Sequence, residues 1–114
     1  MDPINKPEEL ESSIQERIKK FLEGKGWFVF VTHGNNFQSG LPDLYCIHER
    51  YGTRWVEVKR PKGYVFTRAQ KVNFHKFSEK GVGIWVLVDA TEEEYERLFL
   101  APNWYVFLMD ASAR

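Results

Sequence analysis

The stretch GLPDLYCIHERYGTRWVEVK, residues 40–59, decides the fold of this chain. Two runs rich in β-branched and aromatic residues, 43–48 and 54–59, flank a short turn at 51–53. Runs of this length and composition, separated by a glycine-containing turn, are typical of an antiparallel hairpin. We therefore predict two paired strands here. Alternate side chains of a strand share a face, so Glu57 and Lys59 point to one side and Val58 packs on the other.

The hairpin would bring two carboxylates together. Asp43 stands at the mouth of the first strand, directly after a Gly-Leu-Pro turn, and Glu57 lies on the second strand. Neighbouring carboxylates repel unless a cation neutralises them, and oxygen ligands suit Mg²⁺ or Mn²⁺. A lysine beside that ion, Lys59, can orient or deprotonate an attacking water. The pattern predicts a hydrolytic site for phosphodiesters. The alternative is an exposed Glu57–Lys59 ion pair on an ordinary strand, which the triplet alone favours.

Helices are predicted on both sides of the hairpin in the sequence. Apolar residues at spacings of three and four predict a helix over 7–25, closed by Gly24 and Gly26. The run 27–32 reads as a strand, and a polar loop follows over 33–42. Thr67 is the expected N-cap of a second helix that reaches about Lys80 and is ended by Gly81.

The C-terminal third continues the alternation of strands and helices. The apolar run 83–88 predicts a strand that is buried on both faces and central in the sheet. Thr91 is expected to open a short acidic helix with Glu94 at the capping-box position. Residues 105–109 are predicted to add a last edge strand. The order of elements indicates a mixed α/β fold.

Composition limits the alternatives. A chain of 114 residues suits one domain, and its single cysteine, Cys46, excludes an internal disulfide and a cysteine-based zinc cluster. The lack of an internal disulfide fits a reducing, cytoplasmic setting. We expect a soluble protein, since no apolar stretch reaches membrane-spanning length. The net charge is zero, but the segment 54–80 contains eight basic and two acidic residues, a local balance of +6. Such a basic middle fits either a phosphate-binding face or an ordinary solvated helix face.

Three motifs together resemble a known nuclease family. They are GLPD at 40–43, WVEVKRP at 55–61 and TRAQ at 67–70, and with helices on both sides they are similar to the virus-type replication-repair nucleases, VRR-NUC, of the PD-(D/E)XK superfamily. The resemblance implies a restriction-endonuclease-like αβββαβ core with a mixed central sheet flanked by helices, within a single domain over 1–114. It also implies a Mg²⁺-dependent or Mn²⁺-dependent nuclease.

The resemblance assigns roles to particular residues. Asp43, Glu57 and the Val58 carbonyl would hold the metal, and Lys59 would position the water. Such families add a glutamate from the first helix. Glu11 fits because it lies within about 20° of the buried stripe at roughly 100° per residue, although it can also simply fray at the helix start. Gln15, one turn on, would flank the pocket.

Further residues are candidates for the active site or for DNA contacts. In the resembling family the glutamine of the Thr-x-x-Gln segment, here Gln70, contributes to the active site; the alternative is a plain N-cap with a solvated glutamine. Phosphate-binding candidates are Arg60, Lys62, Arg68 and Lys71. Asn36, in the loop before Asp43, can touch DNA or satisfy the loop's own hydrogen bonds. Tyr64 and Phe66 are the more plausible DNA-facing aromatics, whereas the four tryptophans fit core or interface positions.

The expected activity is cleavage of branched DNA. Small free-standing members of the resembling family work as homodimers, and a symmetric pair of sites suits a four-way (Holliday) junction. A dimer can use the apolar surface over 104–108. Alternatives are a flap or nicking endonuclease and a non-catalytic DNA-binding module on the same fold. A phage or bacterial protein of the host cytoplasm, with neither a membrane nor a small-molecule cofactor, fits this expectation.

Overall fold

The computed structural model describes residues 9–32 and 40–112, except for the side chain of Ser112. Helix, three strands, helix and strand follow one another as predicted, so the αβββαβ core is confirmed. The elements in chain order are α1 (Glu11–Gly24), β1 (Phe28–Val31), β2 (Leu44–His48), β3 (Gly52–Val58), α2 (Arg68–Glu79), β4 (Ile84–Leu87), α3 (Glu92–Glu96), a 3₁₀ turn (Arg97–Phe99) and α4 (Trp104–Ser112).

The four strands found within 9–32 and 40–112 form one mixed sheet in the order β1-β2-β3-β4. The pairs β1–β2 and β2–β3 are antiparallel, and β3 runs parallel to β4. The predicted hairpin is β2–β3, in which Leu44 is paired with Val56 and His48 with Gly52. A parallel pair needs a long crossover, and α2 lies in the connection from β3 to β4.

Helices cover the two faces of the sheet with separate apolar cores. On one face the α1 residues Ile14, Ile18 and Leu22 pack on a cluster that includes Val56 and Val58 of β3. On the other face α2 and α4 pack on β4. The alternation along β3 therefore leaves Glu57 on the α2 side, where its carboxylate meets a helix α2 side chain.

The first helix is shorter than predicted. It begins at Glu11 after Leu10, whose backbone is extended and whose side chain makes no capping hydrogen bond. Gly26, at φ 93°, turns the chain into β1, as its expected role at the helix end requires. Residues 33–39 of the predicted loop lie outside the described residues.

The strand β4 is an edge strand of the described sheet and not the predicted central one. Its outer edge is bonded by side chains instead of by another strand. The amide of Asn103 accepts from Val86 N at 2.6 Å and donates to Val86 O at 3.1 Å, and Glu94 accepts from Val88 N at 2.8 Å. The predicted burial on both faces is present, because Ile84 and Val86 lie in one apolar core and Leu87 in the other, while the side chains of Asn103 and Glu94 bond the backbone at the edge.

The segment predicted as a last strand, 105–109, belongs to helix α4. Trp104 and Leu108, four residues apart, are buried against the core that contains Phe74 of α2. Their spacing is that of a helix, and tertiary packing prevails over the β propensity of the sequence YVFLM. None of the helices in the described part of the chain is long and apolar enough to cross a membrane.

Replacement of Asn103 by alanine should destabilise the protein by about 1–3 kcal/mol, because the edge groups of Val86 lose both partners. The measurements are urea unfolding and amide hydrogen exchange. We expect the Val86 amide to exchange faster in Asn103→Ala while the amide of Val56, within the sheet, keeps its protection. Unchanged protection at Val86 would contradict the edge role of Asn103.

Candidate active site

Asp43 and Glu57 form a reciprocal pair at one end of the β2–β3 hairpin. The backbone N–H of Asp43 donates to Glu57 Oε1 at 3.2 Å, and the N–H of Val58 donates to Asp43 Oδ2 at 2.8 Å. Each carboxylate is thus tied to the strand of the other. The predicted approach of the two residues follows from the register, because Leu44, the next residue after Asp43, is paired with Val56.

Glu57 is buried beside a second acidic group. Its exposed fraction is 1%, and burial raises the pKa of its carboxyl to about 8, with a further upward contribution from Asp43. Lys59 opposes this shift: its Nζ lies 3.0 Å from Glu57 Oε2, and its own exposed fraction is 4%. The Glu57–Lys59 pair is therefore buried, and the alternative of an exposed pair on an ordinary strand is excluded.

Gln70, on helix α2, contacts both members of the Glu57–Lys59 pair. Its Nε2 donates to Glu57 Oε2 at 2.9 Å, while its Oε1 accepts from Lys59 Nζ at 3.2 Å. The same Oε1 accepts from the backbone of Thr67 at 2.9 Å, so the predicted N-cap of this helix is part of a full capping box. Gln70 is thus more than a solvated capping residue, because it contacts both charged groups of the site.

The turn that presents Asp43 is packed against α2. Gly40 has φ 86°, and a Cβ added there would lie 2.7 Å from Asn73 Nδ2 and 2.8 Å from the backbone of Ala69. Thr32, after β1, holds the other side of the turn through hydrogen bonds from its hydroxyl to the carbonyls of Pro42 and Asp43. The turn and the helix that bears Gln70 are consequently fixed relative to each other.

A cavity of about 310 Å³ opens beside these groups. Glu11 and Gln15 line it from α1, so the structure brings both predicted helix residues to the same cavity as Asp43 and Glu57. Glu11 is exposed at the first position of the helix. The lining residues are Glu11, Ser12, Gln15, Asp43, Glu57, Val58, Lys59, Val65, Thr67 and Gln70.

The donor set of the cavity fits a hard divalent cation. Asp43 and Glu57 supply carboxylate oxygens. The carbonyl and N–H of a strand residue point to the same side, and the N–H of Val58 faces Asp43, so its carbonyl lies on that side as well. No group of three or more His, Cys, Asp or Glu side chains that could hold a metal occurs within 9–32 and 40–112. A metal here would use two carboxylates, a carbonyl and water, with Glu11 at the rim.

None of the four candidate phosphate-binding residues that the structure describes lines the cavity of Asp43 and Glu57 itself. Arg60 follows Lys59 directly and donates to Gly63 O at 3.3 Å, and Lys62 is exposed beside it. Arg68 and Lys71 are exposed on the first turns of α2. Asn36 lies outside the described residues.

The two aromatic residues proposed to face DNA are buried instead. Tyr64 is 5% and Phe66 7% exposed, within the core between α2 and α4. The ring of Phe66 lies 4.6 Å from Lys59 Nζ, so it packs against the catalytic candidate rather than facing solvent. Their position in a loop predicts exposure, but helix α4, which replaces the predicted strand, covers them. The hydroxyl of Tyr64 donates to Asp110 of this helix at 2.6 Å. Sequence reasoning also missed Ser12 and Val65 as cavity residues, since neither belongs to a motif.

The αβββαβ topology, with Asp43 beside Glu57 and Lys59, agrees with the class that the motifs resemble, the PD-(D/E)XK nucleases. A solved structure described as a VRR_NUC domain is similar to this chain, with a TM-score of 0.59, 25% identity, and coverage of 75% of this chain and 91% of the other. No family model and no curated protein matches. This likeness supports membership of the VRR-NUC family, in agreement with the resemblance of the motifs, and it supports a nuclease domain of that superfamily.

Replacement of Gly40 by alanine should disturb the site far more than the same change at Gly52. Both glycines have positive φ, 86° and 82°, but a Cβ at Gly52 meets nothing within 4 Å. Gly52→Ala reports backbone strain alone, whereas Gly40→Ala adds a clash with α2 that we expect to cost a further 1–3 kcal/mol, roughly. Urea unfolding of both variants gives the difference. Equal losses would show that the turn tolerates displacement from the helix.

The Asp43→Asn variant should be more stable than the parent protein in the absence of metal. The change removes the charge that raises the pKa of Glu57 and keeps an acceptor for Val58 N. We expect a melting temperature a few degrees higher in a chelating buffer, with loss of any stabilisation by added Mn²⁺. Asp89→Asn is the control, because Arg17 lowers the pKa of Asp89 and the same change there should not stabilise. A lower melting temperature for Asp43→Asn would contradict the repulsion.

Proposed function

We propose that this chain is a metal-dependent, structure-specific DNA endonuclease that forms one catalytic domain over 1–114 and resolves four-way junctions as a homodimer. The observation that supports it most is the reciprocal Asp43–Glu57 pair with Lys59 buried beside it. Two acidic groups held together at a cavity are costly without a cation. Their arrangement therefore favours a bound metal and hydrolysis over a merely structural role.

The metal would be Mg²⁺ or Mn²⁺, held by Asp43, Glu57 and the carbonyl of Val58, with Glu11 completing the site directly or through water. When bound, the ion would supply Lewis-acid polarisation of a phosphodiester oxygen and neutralise developing charge. The protein groups supply the rest. Lys59, kept next to Glu57 at 3.0 Å, would position the nucleophilic water, and Gln70 would hold both charged side chains in place.

A path for the DNA backbone leads away from the carboxylates. A second cavity of about 210 Å³ shares Glu11 and Val65 with the first and reaches Arg60. A third, of about 270 Å³, shares Arg60 and is lined by Lys62. Basic side chains along such a groove would bind successive phosphates. Arg68 and Lys71, with Gln15 and Asn36, are proposed to contact the flanking DNA.

Homodimerisation is proposed from symmetry. A four-way junction offers two equivalent strands, and two protomers related by a two-fold axis offer two equivalent sites. The surface predicted for the dimer, 104–108, is only partly exposed, since Trp104 and Leu108 are buried. The apolar side chains that α4 does expose are Tyr105, Val106 and Met109.

Two alternatives differ in what they require. A flap or nicking endonuclease would use the same catalytic residues without a symmetric pair. A non-catalytic DNA-binding module would be expected to lack one of Asp43, Glu57 or Lys59, and all three are present and in contact. A phage or bacterial enzyme acting in the host cytoplasm, on branched DNA and without a small-molecule cofactor, completes the proposal.

The decisive experiment is cleavage of a labelled synthetic four-way junction in Mg²⁺ or Mn²⁺, beside flap, duplex and single-stranded substrates. We expect symmetric paired cuts, lost by about 100-fold or more in Lys59→Ala and in Asp43→Ala. The sedimentation coefficient of the protein, measured at the same concentration, should be that of a dimer.

Each other outcome selects an alternative. Cleavage of flaps alone would keep the chemistry and overturn the junction and dimer assignments. Binding of branched DNA without any cleavage, by a folded protein loaded with Mn²⁺, would favour the non-catalytic module. Arg60→Ala serves as a binding control, because loss of a phosphate contact should weaken binding and reduce its dependence on salt without removing the chemistry.

A further inference from the structure

Gln70 is held at three points, and only one of them is uncharged. Its Oε1 accepts from the backbone N–H of Thr67 at 2.9 Å and from Lys59 Nζ at 3.2 Å, and its Nε2 donates to Glu57 Oε2 at 2.9 Å. Rotation of the amide by 180° would turn Nε2 toward two donors and Oε1 toward a carboxylate. All three contacts therefore favour one orientation.

The two charged contacts belong to the site that would bind metal and substrate. The surroundings of Lys59 and Glu57 would change if a cation bound there, so their contacts with the Gln70 amide would change as well. The Thr67 N–H is a backbone group at the start of α2 and keeps its place. It is the contact that can fix the orientation of Gln70 before and after the site is loaded.

The side chain of Thr67 keeps that N–H in position. Its Oγ1 accepts from the backbone N–H of Gln70 at 3.1 Å, and its backbone is extended at φ −70° and ψ 162°, as an N-cap requires. The hydroxyl thus fixes the N-cap, the N-cap fixes the N–H, and the N–H fixes the amide of Gln70. Thr67 also lines the active-site cavity.

We propose that Thr67 is a positioning residue of the active site. It acts through Gln70, which holds the carboxyl group of Glu57 and the side chain of Lys59 in their relative positions. With Glu57 Oε2 engaged by Gln70, the other oxygen, Oε1, stays on the side of Asp43, where it accepts the Asp43 N–H. This inference rests on the proposed nuclease function, which gives that orientation its purpose. It assigns to the capping box a second role beside starting a helix.

The chain contains a matched control for the loss of an N-cap. Thr91 caps α3 with the same hydrogen bond, from Glu94 N to its hydroxyl at 3.1 Å, and both threonines are exposed. Thr67→Val and Thr91→Val each remove one capping hydroxyl and keep the shape of the side chain. Similar losses of melting temperature are expected from the two changes.

The first test uses the metal-free protein and needs no activity. The side-chain NH₂ of Gln70 is followed by ¹⁵N NMR and hydrogen exchange. We expect it to be resolved and slowly exchanging in the parent protein and in Thr91→Val, and to exchange about ten-fold faster or more in Thr67→Val, since its hold on the carboxylate is loosened. Thr67→Ser should restore the parent behaviour because serine caps as well as threonine. An unchanged Gln70 amide in Thr67→Val would overturn the proposal.

The second test separates positioning from stability by kinetics on the DNA substrate that the parent protein cleaves. Thr67→Val should lower kcat about 10-fold to 100-fold with little change in KM, while Thr91→Val keeps both. In a Gln70→Ala background Thr67→Val should have no further effect on kcat, because the two residues act as one unit. Additive losses, or equal losses in the Thr67 and Thr91 variants, would overturn the proposal. A parent protein that cleaves nothing would instead defeat the proposed function, and the NMR result would still decide the role of Thr67.

Discussion

The burial of Glu57 against Asp43 is the constraint on which the site depends. A carboxylate with 1% of its surface exposed, next to another acidic group, opposes folding unless donors surround it. Three donors reach Glu57: the backbone N–H of Asp43, the ammonium of Lys59 and the amide of Gln70. They come from the turn before β2, the end of β3 and helix α2. The site can therefore form only when hairpin and helix are assembled together.

One face of β3 lies in an apolar core and contributes to stability, and the other face bears the charged residues of the candidate site. Val56 and Val58 lie in the apolar cluster beneath α1, where burial favours folding. Glu57 and Lys59 lie on the α2 side, where the apolar core ends and the cavity begins. A strand anchored by one face can tolerate charged groups on the other. This arrangement accounts for the buried Glu57–Lys59 pair in a chain of 114 residues, whose marginal stability leaves little room for unpaired buried charge.

The parts of the fold that sequence predicted are those set by local pattern. The spacing of Ile14, Ile18 and Leu22 predicts α1, and the composition of the hairpin predicts β2 and β3. Both patterns are local, and the structure differs from them only in where these elements begin and end. The errors concern contacts between distant residues. The edge of β4 is bonded by Asn103, seventeen residues beyond Val86 in the chain, and no period of the sequence reports such a contact. A strand over 105–109 would leave Tyr64 and Phe66 exposed, whereas helix α4 packs with them in one apolar core.

In the candidate site, too, local patterns predict some residues, while contacts between distant elements are missed. The strand period and the hairpin predict that Asp43, Glu57 and Lys59 lie together, and the resemblance of the Thr-x-x-Gln motif adds Gln70. They do not identify what aligns those groups. That depends on Gly40, whose missing Cβ lets the turn approach α2, and on Thr67, whose backbone N–H selects one orientation of a neutral amide. A motif names the chemistry, whereas alignment comes from small uncharged contacts between elements. An isolated hairpin with the same motif would hold the carboxylates without their alignment.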